Sequence, residues 1–294
     1  MRACAVIPAY DAERDVADVV RETAAIWPVK RAVIVVDDGS HDRTAELARA
    51  AGAIVLRHPE NRGKGAALRT GMAHALRAGF DVAVTLDADG QHPPSEAARL
   101  LSAEPDPDAL VLGVRDLLGA GAPRANQISN GISNYFLSLF AGRPLADTQC
   151  GLRRYPLRRT LELDVRDHGY AFEAEVILRA VAGRVRIAEV PIRVIYPPEN
   201  QRLTHFHSAR DPARIIVRVL RTLALTRGLR SAPAAAPPEP DVEPLDDVPT
   251  APPAPPPQPT QPTQPAPADG STPENRGEPP QGDLRASTPV PTAP

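Results

Sequence analysis

Val82-Ala-Val-Thr-Leu-Asp-Ala-Asp-Gly-Gln-His-Pro93 runs from a buried apolar segment into a polar turn, then into a proline that opens a helix. Val82 to Leu86 has the length and composition of a strand covered on both faces. Asp87, Asp89 and Gln91 follow at a spacing of two, which on extended backbone places them on one face. Oxygen-bearing side chains aimed together past a strand end suit a hard divalent cation, Mg²⁺ or Mn²⁺, that also holds a diphosphate. A solvated acidic turn would use the same residues, so the neighbouring segments must decide.

Outward from this point, strands and helices alternate. Ala3–Ile7 reads as a strand closed by Pro8, and Val16–Ile26 as a helix with Val16, Val19, Val20 and Ala24 on one face. Ala32–Val36 is a second strand ending in Asp37-Asp38-Gly39-Ser40. The helix Thr44–Ala51, the strand Ala53–Leu56 and the Ala-rich helix Gly65–Ala78 come next. A helix after Ser95 and a strand at Leu110–Val114 complete the run. Apolar strands alternating with helices predict a doubly wound, mostly parallel α/β sheet flanked by helices. Ligands of such sheets bind beyond the carboxyl ends of the strands. Pro8-Ala9-Tyr10, Asp37-Asp38, Asp87-Ala88-Asp89 and Arg115 all fall at such ends, and one acidic turn by itself does not explain four polar strand ends.

Composition divides the chain near Ser231. The last 64 residues hold 21 of the 35 prolines, with Asp or Glu at nine positions against Arg276 and Arg285 alone. Such a stretch buries too little apolar surface to offset chain entropy. It predicts a disordered acidic tail, 231–294, whose Pro-x-x-Pro repeats suit an SH3-like groove or simply solubilise the chain. Residues 1–230 then read as one α/β domain, and with the tail at −7 the body carries +5 of the overall −2. That mild bias suits phosphorylated substrates or an anionic membrane surface and does not argue for nucleic acid. Cys4 and Cys150, the only cysteines, offer no disulfide framework. With the first strand starting by Ala3 and no apolar run of membrane-spanning length, the expected location is cytoplasmic, peripheral at the cytosolic face of a membrane.

In the second half, Ala125–Ala141 reads as a long helix with Ile128, Ile132, Tyr135, Phe136, Leu139 and Phe140 on an apolar face. A strand to Tyr155, a helix over Phe172–Ala182, a strand at Arg186–Val194 and a basic amphipathic helix at Pro212–Arg227 follow. The long helix and the last one are candidates for membrane contact, and equally for packing on the sheet.

Val6-Ile-Pro-Ala-Tyr10, Val35-Val-Asp-Asp-Gly-Ser40, Asn61-Arg-Gly-Lys-Gly-Ala66, Asp87-Ala-Asp-Gly-Gln-His92 and Asp147–Arg153 occur in order between about residues 3 and 225. Together they resemble family 2 glycosyltransferases, most closely the dolichol/polyprenyl-phosphate mannose or glucose synthases. The resemblance implies a GT-A fold. It also implies that Pro8 and Tyr10 line a nucleotide pocket, Asp37 or Asp38 bonds the base or ribose, and Asp87, with Ala88 beside it, reaches the ribose and diphosphate. Asp89 and Gln91 would bind the metal, and Arg115 and Arg124 the phosphates. Where relatives carry an acidic residue two positions after the pocket tyrosine, this chain has Ala12, with Glu13 beside it.

Lys64 is not a P-loop lysine, because Gly65 stands where Ser or Thr would hold Mg²⁺. It reads as the start of a helix near the nucleotide, or equally as an exposed lysine at a helix start. His92, beside the metal segment, reads as a packing residue at a helix entry, with metal ligation as the alternative. Arg202 and Thr204 match only loosely the late basic and hydroxyl pair with which relatives grip phosphate, and His205 and His207 flank them. Asp89 and Asp147 are the candidate catalytic groups. Asp147 either orients the acceptor side or acts as a base, depending on the acceptor. The expected reaction is inverting transfer of a hexose from GDP-mannose or UDP-glucose to a polyprenyl phosphate. Its alternatives are transfer to a hydroxyl with Asp147 as base, and a non-catalytic scaffold acting through the Pro-rich tail.

Overall fold

A computed structural model of the chain describes residues 1–27, 32–169 and 171–196. The elements are β1 (Ala3–Ala9), α1 (Val16–Ile26), β2 (Val33–Asp37), α2 (Thr44–Ala50), β3 (Ile54–Arg57), α3 (Lys64–Arg77) and β4 (Val82–Thr85). They continue as α4 (Pro94–Ala103), β5 (Leu110–Arg115), α5 (Arg124–Ala141), β6 (Arg153–Pro156), α6 (Leu157–Glu162), α7 (Phe172–Ala182) and β7 (Ile187–Ile192). Arg202, Thr204, His205, His207, the helix expected at 212–227 and the tail 231–294, with its SH3-like docking, lie outside the described residues.

Among the described residues the strands form one sheet in the order β3-β2-β1-β4-β6-β5-β7. All neighbours pair in parallel except β6, which runs antiparallel to both β4 and β5. The mostly parallel sheet is as expected from the alternation, and β1, β2 and β4 are buried along their whole length. On one side α1 packs against α2 and α4; α3 forms a second group with α6 and α7, and α5 packs on α7.

Two local features depart from the expected outline. β1 does not close at Pro8 but continues to Ala9, in register with β2 as far as Asp37. On its other side β4 pairs no further than Val6↔Thr85, so the N–H that Pro8 lacks would face a position where the ladder has already ended. The short helix α6 was not expected, because it is only six residues long.

The reversed strand β6 carries Arg153 and Arg154, both fully buried. Their guanidinium groups bond main-chain carbonyls: the two terminal nitrogens of Arg154 donate to Leu101, Glu104 and Asp106, its Nε having no partner among the described residues, and Arg153 donates to Cys150, Thr148 and Glu173. These bonds pin the turns on both sides of the strand and bring the 147–153 segment beside the end of β4.

Gly71 on α3 lies directly against β1. A Cβ there would stand 2.5 Å from Val6 Cγ1 and 3.0 Å from Val36 Cγ2. The Gly71→Leu variant is expected to force α3 off the sheet and cost about 1–3 kcal/mol despite better helix propensity, read as a lower midpoint in urea unfolding.

Candidate active site

A cavity of about 490 Å³ opens beyond the carboxyl ends of β1 and β4. Pro8 and Tyr10 line it from β1 and the residue just past it, Asp11 and Asp15 from the following turn, and Asn61, Gly63 and Lys64 from the start of α3. Asp87, Ala88, Asp89 and Gln91 form the wall after β4, and Asp38 and Gly169 complete the lining. Asp87, Asp89 and Gln91 therefore meet, but not by strand alternation. β4 ends at Thr85, and residues 88–90 form a turn in which Gly90 takes φ +70°. The turn, not a pleat, gathers the polar groups.

Asp87 sits in a tight slot. Lys64 Nζ lies 2.7 Å from its Oδ1 and 2.9 Å from Glu173 Oε1. On the other side, a Cβ at Gly151 would fall 2.5 Å from Asp87 Oδ2, so only glycine lets the 147–153 loop approach this closely. Burial raises the Asp87 carboxyl, but the cationic neighbours, Lys64 foremost, outweigh it and hold the group below its ordinary value. Burial likewise opposes the charge on Lys64, yet Asp87 and Glu173 raise its ammonium well above the usual range. His92 is buried with Nε2 4.0 Å from Asp87 Oδ2; burial brings it down to about 4, which leaves it neutral and packed behind the site.

Asp89 is placed differently. Surrounding protein first, and the Asp87 charge second, push its carboxyl up to about 6. The residue is nevertheless exposed to the cavity, so solvent screens part of that penalty. Its Oδ1 accepts the Gln91 N–H at 3.0 Å. A carboxylate repelled by a second carboxylate, with an amide beside it, is a fitting donor set for Mg²⁺ or Mn²⁺. Among the described residues no group of three His, Cys, Asp or Glu could hold an ion, so the remaining ligands would be diphosphate oxygens and water.

The second acidic pair divides. Asp38 borders the cavity, but its oxygens accept the Arg62 N–H at 3.0 Å, the Gly63 N–H at 2.7 Å and His58 Nδ1 at 2.6 Å. It shapes the loop that leads into α3. Asp37 is wholly buried, bonded to the Ser40 N–H and paired with Arg57 at 3.1 Å. It is not part of the cavity wall, because neighbouring residues at the end of β2 point opposite ways.

Arg115 and Asp147 form a forked pair: Nε donates to Oδ2 at 2.7 Å and Nη2 to Oδ1 at 3.0 Å. The Arg115 N–H adds a bond to Oδ2 at 3.1 Å, and the Gln149 N–H one to Oδ1 at 3.3 Å. Asp147 is 0% exposed, and its four lone-pair directions are filled. Asp147, read from sequence as an orienting group or a base, is thus an anchor for Arg115, which stands behind the cavity rather than in its wall. Arg124, at the exposed first position of α5, does not line the cavity either. Arg202 lies outside the described residues.

Asp11, Asp15, Asn61 and Glu173 are site residues that the sequence motifs did not single out. Asp11 and Asp15 stand in the wall near where Ala12 replaces the expected acid, whereas Glu13 instead accepts the Arg43 N–H away from it. Asn61 lies inside a motif already recognised and was readable there. Glu173, far along the chain, had no local signal.

The family model for glycosyl transferase family 2 matches residues 4–160, more than half of the chain. The chain belongs to glycosyl transferase family 2. An undecaprenyl-phosphate mannosyltransferase of Micrococcus luteus is 34% identical to this glycosyltransferase over 174 residues, 55% of this chain and 71% of the relative. A UDP-N-acetylglucosamine–dolichyl-phosphate N-acetylglucosaminyltransferase of Methanococcus voltae is 29% identical over 216 residues, 65% of this chain and 84% of the relative. In fold the enzyme is similar to the Mycobacterium tuberculosis glucosyl-3-phosphoglycerate synthase solved with Mn²⁺, UDP and phosphoglyceric acid. The TM-score is 0.58 at 19% identity, covering 79% of this chain and 80% of that one.

Removing Asp147 alone leaves Arg115 nearly buried without a counter-ion. Asp147→Ala is therefore expected to cost about 3–5 kcal/mol, while the Asp147→Ala/Arg115→Met double variant costs less than the sum of the single changes, measured by denaturant unfolding. Because the Asp89 carboxyl is raised in the fold, the metal-free folded state binds the extra proton between the ordinary value of 3.8 and about 6. Metal-free stability from this group falls as pH rises through that window. Melting curves across pH 3.5–6.5 are expected to lose this component in Asp89→Asn, and the variant to lose the rise in Tm that Mn²⁺ gives wild type.

Proposed function

We propose that the enzyme transfers a hexose, with inversion, from GDP-mannose or UDP-glucose to a polyprenyl phosphate, residues 1–230 forming its catalytic domain. The observation that carries this reading is the saturation of Asp147 by Arg115 and Gln149. A hydroxyl acceptor needs a group that takes its proton, and the carboxylate best placed in sequence for that task has no free lone pair. A lipid phosphate is ionised near neutral pH and needs none. The relatives named for undecaprenyl-phosphate and dolichyl-phosphate acceptors support the same choice.

In this reading the nucleotide lies along Pro8, Tyr10, Asp11, Asp15 and Asn61, and Asp38 acts by holding the Arg62–Gly63 loop against it. Asp87 and Lys64 face the diphosphate. Asp89 and Gln91 hold the divalent ion, which when bound stabilises negative charge on the departing nucleoside diphosphate. Arg115, locked by Asp147, adds fixed positive potential behind this point without having to reorganise. The incoming phosphate attacks the anomeric carbon from the face opposite the leaving group, which inverts it.

α5 supports contact with a membrane surface. Its buried residues are Ser129, Asn130, Ser133 and Leu137, with Ser129 and Ser133 bonded to Gln149 and Thr148, whereas Ile128, Tyr135 and Leu139 are 64%, 66% and 72% exposed. Phe136 and Phe140, expected on the same apolar face, pack partly against the core instead. A helix that leaves Ile128, Tyr135 and Leu139 outward and has no acidic residue suits interfacial binding beside the acceptor. Among the described residues no helix is long and apolar enough to cross a membrane.

Incubation with Mn²⁺, polyprenyl phosphate and a panel of radiolabelled nucleotide sugars is expected to move label into the organic phase for one donor. Label confined to water-soluble product would sink the lipid acceptor.

A further inference from the structure

We propose that Glu173 is a positioning residue for the transfer reaction, acting on the donor site through Lys64. This rests on the glycosyl-transfer reading but not on the identity of the acceptor. Lys64, Asp87 and Glu173 come from the start of α3, the turn after β4 and the first turn of α7, and meet at 2.7 and 2.9 Å around one ammonium. Lysine carries its charge on a flexible four-carbon stem, so one carboxylate would let it swing. Two carboxylates on opposite elements hold it in place. The Lys64 side chain is only 18% exposed and that of Glu173 7%, so solvent screens this pair of contacts little.

The position of Glu173 is itself built. The loop before α7 docks on the start of α3, where the Ala66 N–H donates to the His168 carbonyl at 3.1 Å. Glu175 ties that loop down by accepting the Arg166 and Asp167 N–H groups, while Arg179 braces Glu175. Glu173 also lies in the first helical turn, where the helix dipole favours an anion. Its carbonyl accepts Arg153 Nη1 at 2.8 Å, and the same guanidinium holds the Thr148 and Cys150 carbonyls. One residue thus joins the carboxylate that faces the donor to the loop that carries Asp147. Without the Glu173 charge, Lys64 settles wholly on Asp87 and is no longer shared as negative charge develops on the leaving diphosphate.

The test is a double-mutant cycle on turnover with Glu173→Gln and Lys64→Ala, each protein checked by its melting curve. Glu173→Gln is expected to lower kcat about ten-fold or more, with donor KM within about three-fold of wild type. In the Lys64→Ala background the same change is expected to alter kcat less than about two-fold. Glu173→Asp, which keeps the charge one methylene shorter, is expected to recover part of the loss and serves as the second variant should Glu173→Gln fold poorly. Equal losses in both backgrounds, or full activity in Glu173→Gln, would overturn the positioning role, since a purely structural glutamate acts independently of Lys64. The comparison can be run on transfer to any acceptor or on donor hydrolysis. Wild-type label appearing only in water-soluble product would therefore discard the lipid acceptor and leave this result standing.

Discussion

A charge removed from water must be met by an opposite charge or by hydrogen bonds, and the working edge of this sheet withdraws several at once. Lys64 is set against Asp87 and Glu173, and Arg115 against Asp147, while the buried Arg153 is met by main-chain carbonyls. The arrangement leaves Asp89, beside the pairing of Lys64 with Asp87, without direct contact from these cations. That imbalance is what a divalent ion carrying a diphosphate would relieve. Elements far apart in the chain are placed where they are because these charges must find one another.

The same constraint decides what each carboxylate can do. Asp147 spends every lone pair on Arg115 and Gln149, and Asp38 spends its own on the loop before α3. A saturated carboxylate is a strut. Asp87 and Asp89, by contrast, keep faces toward the cavity. Four acidic residues from the motifs divide into two that hold the frame and two that line the cavity unsaturated.

Much of the fold was legible because apolar runs such as Val33–Val36 and Val82–Leu86 are long enough to be buried strands, and helices separate them regularly. The reversed strand β6 was less so. Its residues, Arg153 to Pro156, carry two arginines whose burial depends on carbonyls from Leu101, Glu104, Asp106, Thr148, Cys150 and Glu173. Nothing local announces that those acceptors will be near. α5 divides for a related reason: its apolar residues read as one face, for a membrane or for packing, but Phe136, Leu137 and Phe140 turn toward the core, Ile128, Tyr135 and Leu139 stay exposed, and the 146–149 loop bonds Ser129 and Ser133.

Sequence alone determined the mostly parallel sheet, the polar strand ends and the cluster at Asp87, Asp89 and Gln91, because periodicity and short motifs report on backbone within a few residues. The tertiary structure decided which polar side chains remain available. Asp37 turns into the protein, Asp147 closes on Arg115, and Glu173 reaches Lys64 across more than a hundred residues of chain. Those outcomes follow from desolvation and pairing between distant segments, which no local pattern encodes.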